Sequence, residues 1–307
     1  MRAHRRPAIA ALAVSAREEH LASRRAAGLF DFSFMGLYEF GELAAIQRAQ
    51  TRDASALAPG QAAYTLILND DGSVFNDATV WRLGAERFWL FTGRPSDFAR
   101  FRRDARERSG ERAILALQGP ASGRILARLI GADAVRALKY FHFVQRDAMV
   151  VARLGYSGEL GYELLVPRAD EPALRAHFTD VPACSFEAAN SLRIEAGYVL
   201  FDREIDGRAN PRELGLERLV SDGRQFALRR KLVGLEISEG RASAGLPRAQ
   251  ATSECDSPTL GRRIGLGFAA PDTPAGALVQ LADGRIARTA QLPLYDAYRR
   301  RPRGAPL

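Results

Sequence analysis

Two cysteines in 307 residues, Cys184 and Cys255, leave no basis for a disulfide framework or a thiolate metal site. Histidine is nearly as scarce: His4, His20, His142 and His177 are spread out, and none pairs with another at the i, i+4 spacing of a helical metal site. No metal ligation is expected, and a reducing, cytoplasmic compartment is. No apolar run approaches the roughly 20 residues that a membrane span needs, so no membrane insertion is expected. Lysine is almost missing, with Lys139 and Lys231 alone in a chain of formal charge +8. The remaining basic residues are arginines in scattered clusters at 100–103, 229–231 and 299–303, without a stripe of interleaved aromatics, and no nucleic-acid partner is expected. The N-terminal residues 1–6 are basic and residues 7–14 apolar, a faint likeness to a secretory signal with Ala13-Val14-Ser15-Ala16 as its cleavage site. That apolar part is short and passes straight into a charged helix.

What the chain does contain is ordinary globular material, 47% apolar and 26% charged, enough for two or three compact units. Ser15-Ala16-Arg17-Glu18 is a capping box that starts a helix over 16–27, with Gly28 as its stop. Residues 63–69, 74–83 and 87–92 read as three antiparallel strands, the first two joined by the turn Asp70-Asp71-Gly72-Ser73. A charged helix is expected from Pro95 to Arg108, then a strand to Gln118 and two helices over 121–131 and 133–139. Strands over 141–144 and 147–154, a helix over 171–178 and a Ser185-capped helix to Ala196 follow. Beyond Gly223 the strands are short, at 232–237, 264–269, 277–281 and 285–290, separated by Gly, Pro and Ser, which predicts a small β-barrel. The expected fold class is α+β, layers of antiparallel sheet and helices, with a unit over 1–225 (a subdomain break near 110–150) and a C-terminal barrel over 226–307.

Three positions stand out chemically. Residues 151–167 form two apolar runs around a turn carrying Gly155, Gly158 and Gly161, and Glu163 sits just inside the second run, where carboxylates are depleted. Glu163 is therefore either a solvated group on an edge strand or one retained for binding. Asp77 shares a strand face with Phe75, Thr79 and Trp81, so it is either exposed at a strand end or kept for chemistry. Arg193 and Glu195, on the Ser185-capped helix, read from spacing alone as a surface pair.

Gly155-Tyr156-Ser157-Gly158-Glu159-Leu160-Gly161-Tyr162-Glu163 resembles the signature of the glycine cleavage T-protein family, folate-dependent aminomethyltransferases. The likeness extends through Gly28-Leu29-Phe30-Asp31, Tyr64 to Asp77, Gln118-Gly119-Pro120 and Ser191 to Leu216. It implies tetrahydrofolate as cofactor, with Tyr64, Tyr156 and Glu163 around the pterin, Arg193 in the folate site at the carboxylate end or steadying Glu163, and Asp77 at the reacting centre. It implies transfer of an aminomethyl group from a lipoyl-carrier partner (H-protein-like), giving methylenetetrahydrofolate and ammonia. Relatives that demethylate small oxygen or sulfur donors, and a folate binder without turnover, are the alternatives; a binder has no need of Asp77. The basic surface suits folate polyglutamates or an acidic carrier. Three positions depart from the family: Phe34 replaces a histidine, Asn76 the first acid of an Asp-Asp pair, and Gly93 an asparagine at the pterin.

Overall fold

The computed structural model describes residues 15–241 and 245–307. The signal-like residues 1–14 lie outside that range. In chain order the elements are α1 (Ala16–Arg25), β1 (Gly28–Asp31), β2 (Gly36–Phe40), α2 (Leu43–Ala49), β3 (Gln61–Leu68), β4 (Val74–Arg82) and β5 (Phe88–Thr92). Next come α3 (Phe98–Phe101), β6 (Ala105–Glu107), β7 (Arg112–Gln118), α4 (Ser122–Ile130), α5 (Ala132–Ala137), β8 (Phe143–Arg146), β9 (Met149–Ala152) and β10 (Gly161–Pro167). The remainder is α6 (Glu171–Ala176), β11 (Ala183–Cys184), α7 (Phe186–Glu195), β12 (Lys231–Arg241), β13 (Ala249–Ser257), β14 (Arg262–Ala269), β15 (Leu278–Gln280) and β16 (Arg285–Ala290). Among the described residues no helix is long and apolar enough to cross a membrane.

The strands form three sheets of mixed connectivity. One runs β11-β1-β7-β10-β9-β8, the second β3-β4-β5-β2-β6 and the third β13-β14-β12-β16-β15. Every pairing is antiparallel except β1 with β11. Central strands of the first sheet are buried on both faces, which is why their sequences read as unbroken apolar runs. On one face Leu115, Leu117, Tyr162 and Leu164 pack against α4, α5 and α6 through Leu126, Val135 and Leu174. On the other, Ile114, Ala116, Ala152 and Leu165 meet Trp81, Trp89 and Phe91 of the second sheet and Leu192 of α7. Asp77 on β4, Glu163 on β10 and Arg193 on α7 belong to the elements that meet in that second layer.

Several expectations change. α1 begins at its capping box as expected, with both reciprocal hydrogen bonds formed, but it ends at Ala26. Gly28 is the first residue of β1, and it is glycine because Ser23 and Cys184 crowd the space a Cβ would take. The long helix over 95–108 is only a single turn, α3, after which residues 105–107 pair with β2 as an edge strand. Phe98 and Phe101 give that stretch one apolar turn to bury, and the arginines beyond them have no partner face on a helix. In the C-terminal part β13 is an unexpected strand, and where a barrel was expected there is a five-stranded antiparallel sheet. Its edge strands approach only through one bridge, Arg248 with Gln280, and no ladder closes it among the described residues.

Candidate functional site

Glu163 sits on β10, which is not an edge strand: it lies between β7 and β9, with Glu163 opposite Ala116 on one side and Ala152 on the other. Both cross-strand neighbours are alanines, whose short side chains place no polar group beside the carboxylate. The side chain is 8% exposed. Among the described residues it has no ion-pair or hydrogen-bond partner, and burial alone pushes its pKa up to about 7. Its oxygens keep a little contact with the surface, so their open acceptor sites are left for water or a ligand to fill.

The loop before β10 explains its glycines. Gln118, at the end of β7, turns its amide across the loop, accepting from Ser157 Oγ at 2.7 Å and donating to the Leu154 carbonyl at 3.3 Å. A Cβ on Gly155 or on Gly161 would collide with that amide. Gly158 alone of the three has a left-handed backbone, φ 75°. Glu159, 3% exposed, is clasped by Arg24 of α1 at 2.8 Å and by Arg301 at 2.7 Å. Arg24 also meets Glu195 at 2.7 Å. Burial would raise the Glu195 carboxyl, but a hydrogen bond from His20, the Arg24 charge and Ser257 hold it at about 2. Gln118, Glu159 and Arg24 are supports that the sequence did not single out; Gln118-Gly119-Pro120 and the glycine spacing were the available signals.

Asp77 lies on β4 and accepts from Tyr64 Oη at 2.8 Å. Burial pushes its pKa up to about 6, with the Tyr64 hydrogen bond and the Arg193 charge opposing. Burial raises Tyr64 and Tyr156 as well, so both stay neutral donors. Tyr156 donates to the Val199 carbonyl at 2.6 Å and stacks on Tyr198, with centroids 5.9 Å apart. It packs against the same apolar layer as the residues flanking Glu163. Asn76 is fully buried, donates to Asp97 at 2.6 Å and accepts the Asp77 amide at 2.9 Å. An acid there would face Asp97, which Arg94 already neutralises at 2.9 Å.

Arg193 is 1% exposed, so the surface-pair reading fails. It does not touch Glu163. Its guanidinium meets Glu204 at 2.7 Å, Ser253 at 2.6 Å, Asn190 at 2.9 Å and the Tyr198 carbonyl at 3.1 Å. The arginine therefore ties down the 198–206 loop, whose Tyr198 backs Tyr156. Phe34, by contrast, is 45% exposed and edge-packed on Phe186 at the surface.

The fold of the chain is similar to that of a solved aminomethyltransferase. The structure of glycine cleavage system aminomethyltransferase T from Bartonella henselae superposes with a TM-score of 0.80 over 92% of this chain and 90% of that one, at 26% identity. A family model, the GCVT N-terminal domain, matches residues 7–223. The aminomethyltransferase of Rubrobacter xylanophilus is 36% identical over 93% of this chain and 88% of its own length. That of Bacillus subtilis is 32% identical over 84% of each. The chain belongs to this family, the glycine cleavage T-protein aminomethyltransferases.

Proposed function

We propose that the protein transfers an aminomethyl group from the lipoyl arm of an H-protein-like carrier to tetrahydrofolate. The donor's carbon–sulfur and carbon–nitrogen bonds break as the carbon bonds to two folate nitrogens, whose protons leave with the thiol of the reduced lipoyl arm and with ammonia, giving methylenetetrahydrofolate. Glu163 is the observation that carries this reading. It is a buried carboxylate without a partner, on the same apolar layer as Tyr156. A reduced pterin, planar and rich in N–H donors on one edge, fits that acceptor, and it supplies the nitrogen that takes up the carbon. Glu163 would accept from those donors in bidentate fashion. Asp77, ionised above about pH 6, would stabilise the positive charge that develops during transfer and take or return a proton. Tyr64 orients Asp77, Tyr156 packs on the ring, and Arg193 acts at one remove by fixing the loop behind Tyr156.

We infer a folate-binding unit over residues 1–225 and a second unit over 226–307, the latter barrel-like because the Arg248–Gln280 bridge draws its two sheet edges together. Both cysteines are free thiols, which fits a cytoplasmic location. Tetrahydrofolate at ten times its dissociation constant should stabilise the protein by about 1.4 kcal/mol. Single-turnover methylenetetrahydrofolate formation from an aminomethyl-lipoyl carrier is the decisive measurement. Turnover only with methylated oxygen or sulfur donors would reassign the donor. Absence of any folate-dependent thermal shift would end the folate reading.

A further inference from the structure

Residue 93 has no side chain, and the Phe201 ring fills the space one would occupy: a Cβ on Gly93 would lie well inside contact with two ring atoms. β4 and β5 pair Thr79 with Phe91 and Ala78 with Thr92. The ladder ends at that second pair; Gly93 follows Thr92 where β5 stops, and Asp77 precedes Ala78 on β4, so continuing the register by one step brings Gly93 alongside Asp77. Phe201 therefore stands at the end of β5 next to the stretch of β4 that carries Asp77.

Charges rather than a core hold the ring there. Arg94, next to Gly93, lies 5.2 Å from the Phe201 centroid and pairs with Asp202 at 3.1 Å. Asp202 takes a left-handed backbone, φ 58°, within a tight turn closed by the Phe201–Ile205 bridge. From behind, Glu204 accepts from the Leu200 amide at 3.0 Å while gripping Arg193. The ring is only half-buried, so one part of it stays free to meet a ligand.

We propose that Phe201 is a specificity-determining residue of the folate site: its ring is the apolar wall beside Asp77 against which the pterin packs, in the space that Gly93 leaves open. The inference rests on the folate reading above and adds to it the surface that fixes the reacting edge of the ring. A planar heterocycle gains from an aromatic face there, and the ring keeps water off the Asp77 side of the site.

The test is calorimetric titration of tetrahydrofolate into the parent protein, Gly93→Ala, Phe201→Ala and the double variant, with kcat and KM measured alongside. Gly93→Ala adds one methyl that displaces the ring, and it should weaken tetrahydrofolate binding about tenfold, as should Phe201→Ala. The double variant should bind no worse than Phe201→Ala alone, because the methyl then has room; Phe201→Tyr should restore binding. KM for tetrahydrofolate should rise in both single variants by more than kcat falls, a split that loss of folded protein would not give. Should Phe201→Ala fail to fold, Phe201→Leu and Gly93→Ala carry the comparison. Single variants that bind as the parent does, or strictly additive losses in the double variant, overturn the proposal. A parent that binds no tetrahydrofolate overturns the folate reading itself, and this inference with it.

Discussion

Between Ala116 and Ala152 the Glu163 carboxyl pays for burial with a pKa raised from 4.5 to about 7. Its folded-state pKa lies above its unfolded one, so the folded protein holds the proton more tightly. The cost to the fold is absent below about pH 4.5, grows as pH rises to about 7 and is complete above that, at about 3 kcal/mol. Glu163→Gln should therefore be more stable than the parent at pH 8 and similar at pH 4, as urea midpoints at the two values would report. Binding runs the other way. Pterin donors need the ionised carboxylate, so tetrahydrofolate affinity should climb through pH 7 in the parent. In Glu163→Gln it should be flat and weaker by about 1.5–3 kcal/mol at pH 8. Equal affinity in the two proteins at pH 8 would mean that Glu163 does not meet the ligand.

Asp77 permits a cleaner separation. A group that stabilises charge only in the transition state contributes to rate and little to ground-state affinity. Asp77→Asn is nearly isosteric and can still accept from Tyr64. It should keep tetrahydrofolate binding within about tenfold while cutting single-turnover rates by roughly a hundredfold or more. In the parent the rate should fall as pH drops below about 6, where Asp77 takes up its proton. An Asn variant as fast as the parent would remove Asp77 from the reaction.

At the scale of elements, what was legible in the sequence was local. The α1 capping box, the β3–β4–β5 meander with its Asp-Gly turn and the Ser185 cap of α7 rest on contacts a few residues long, and all are present. The glycine-rich stretch and Asp77 were visible as oddities of pattern. Partners far apart in sequence were not. Arg193 looks like half of a surface pair until Glu204 and Ser253 close around it, the latter 60 residues away. β13 reads as a polar segment because Ser253 and Ser257 turn inward to Glu204 and Glu195, so polarity there marks buried hydrogen bonds rather than solvent. Glu204→Gln should accordingly behave as a core mutation, costing about 3–5 kcal/mol by leaving Arg193 buried without its counter-charge. Replacing both partners by apolar residues, Arg193→Met with Glu204→Leu, should recover part of that loss in a urea denaturation series. A cost near zero for Glu204→Gln would show that the pair is solvated.

For the whole molecule, the segment after β16 joins parts that the sheets alone leave separate. The Tyr295 amide donates to the Glu195 carbonyl at 2.9 Å, Arg301 grips Glu159, Arg153 donates to the Gly304 carbonyl, and the Pro306 carbonyl lies over Gly123 of α4. Arg301→Ala removes one of the two clasps on Glu159 and leaves Arg24 in place. It should lower tetrahydrofolate affinity by several-fold through the loop while moving the melting temperature by no more than about 2–4 °C. Affinity unchanged within error would show that Arg24 alone fixes the loop.

The clasp on Glu159 also sets an order in time. Its two arginines lie 135 and 142 residues away along the chain, and Arg301 reaches back across 277 residues to the Arg24 carbonyl. Contacts of such span form after the hairpins and local helices, because the entropy of closing so long a loop must be met first. The glycine-rich loop should then take its final shape late in refolding, after the sheets beneath it. Pulse-labelled hydrogen exchange should show amides of β7 and β10 protected well before those of residues 155–160, and in Arg301→Ala that lag should lengthen while the protection of the sheet keeps its pace.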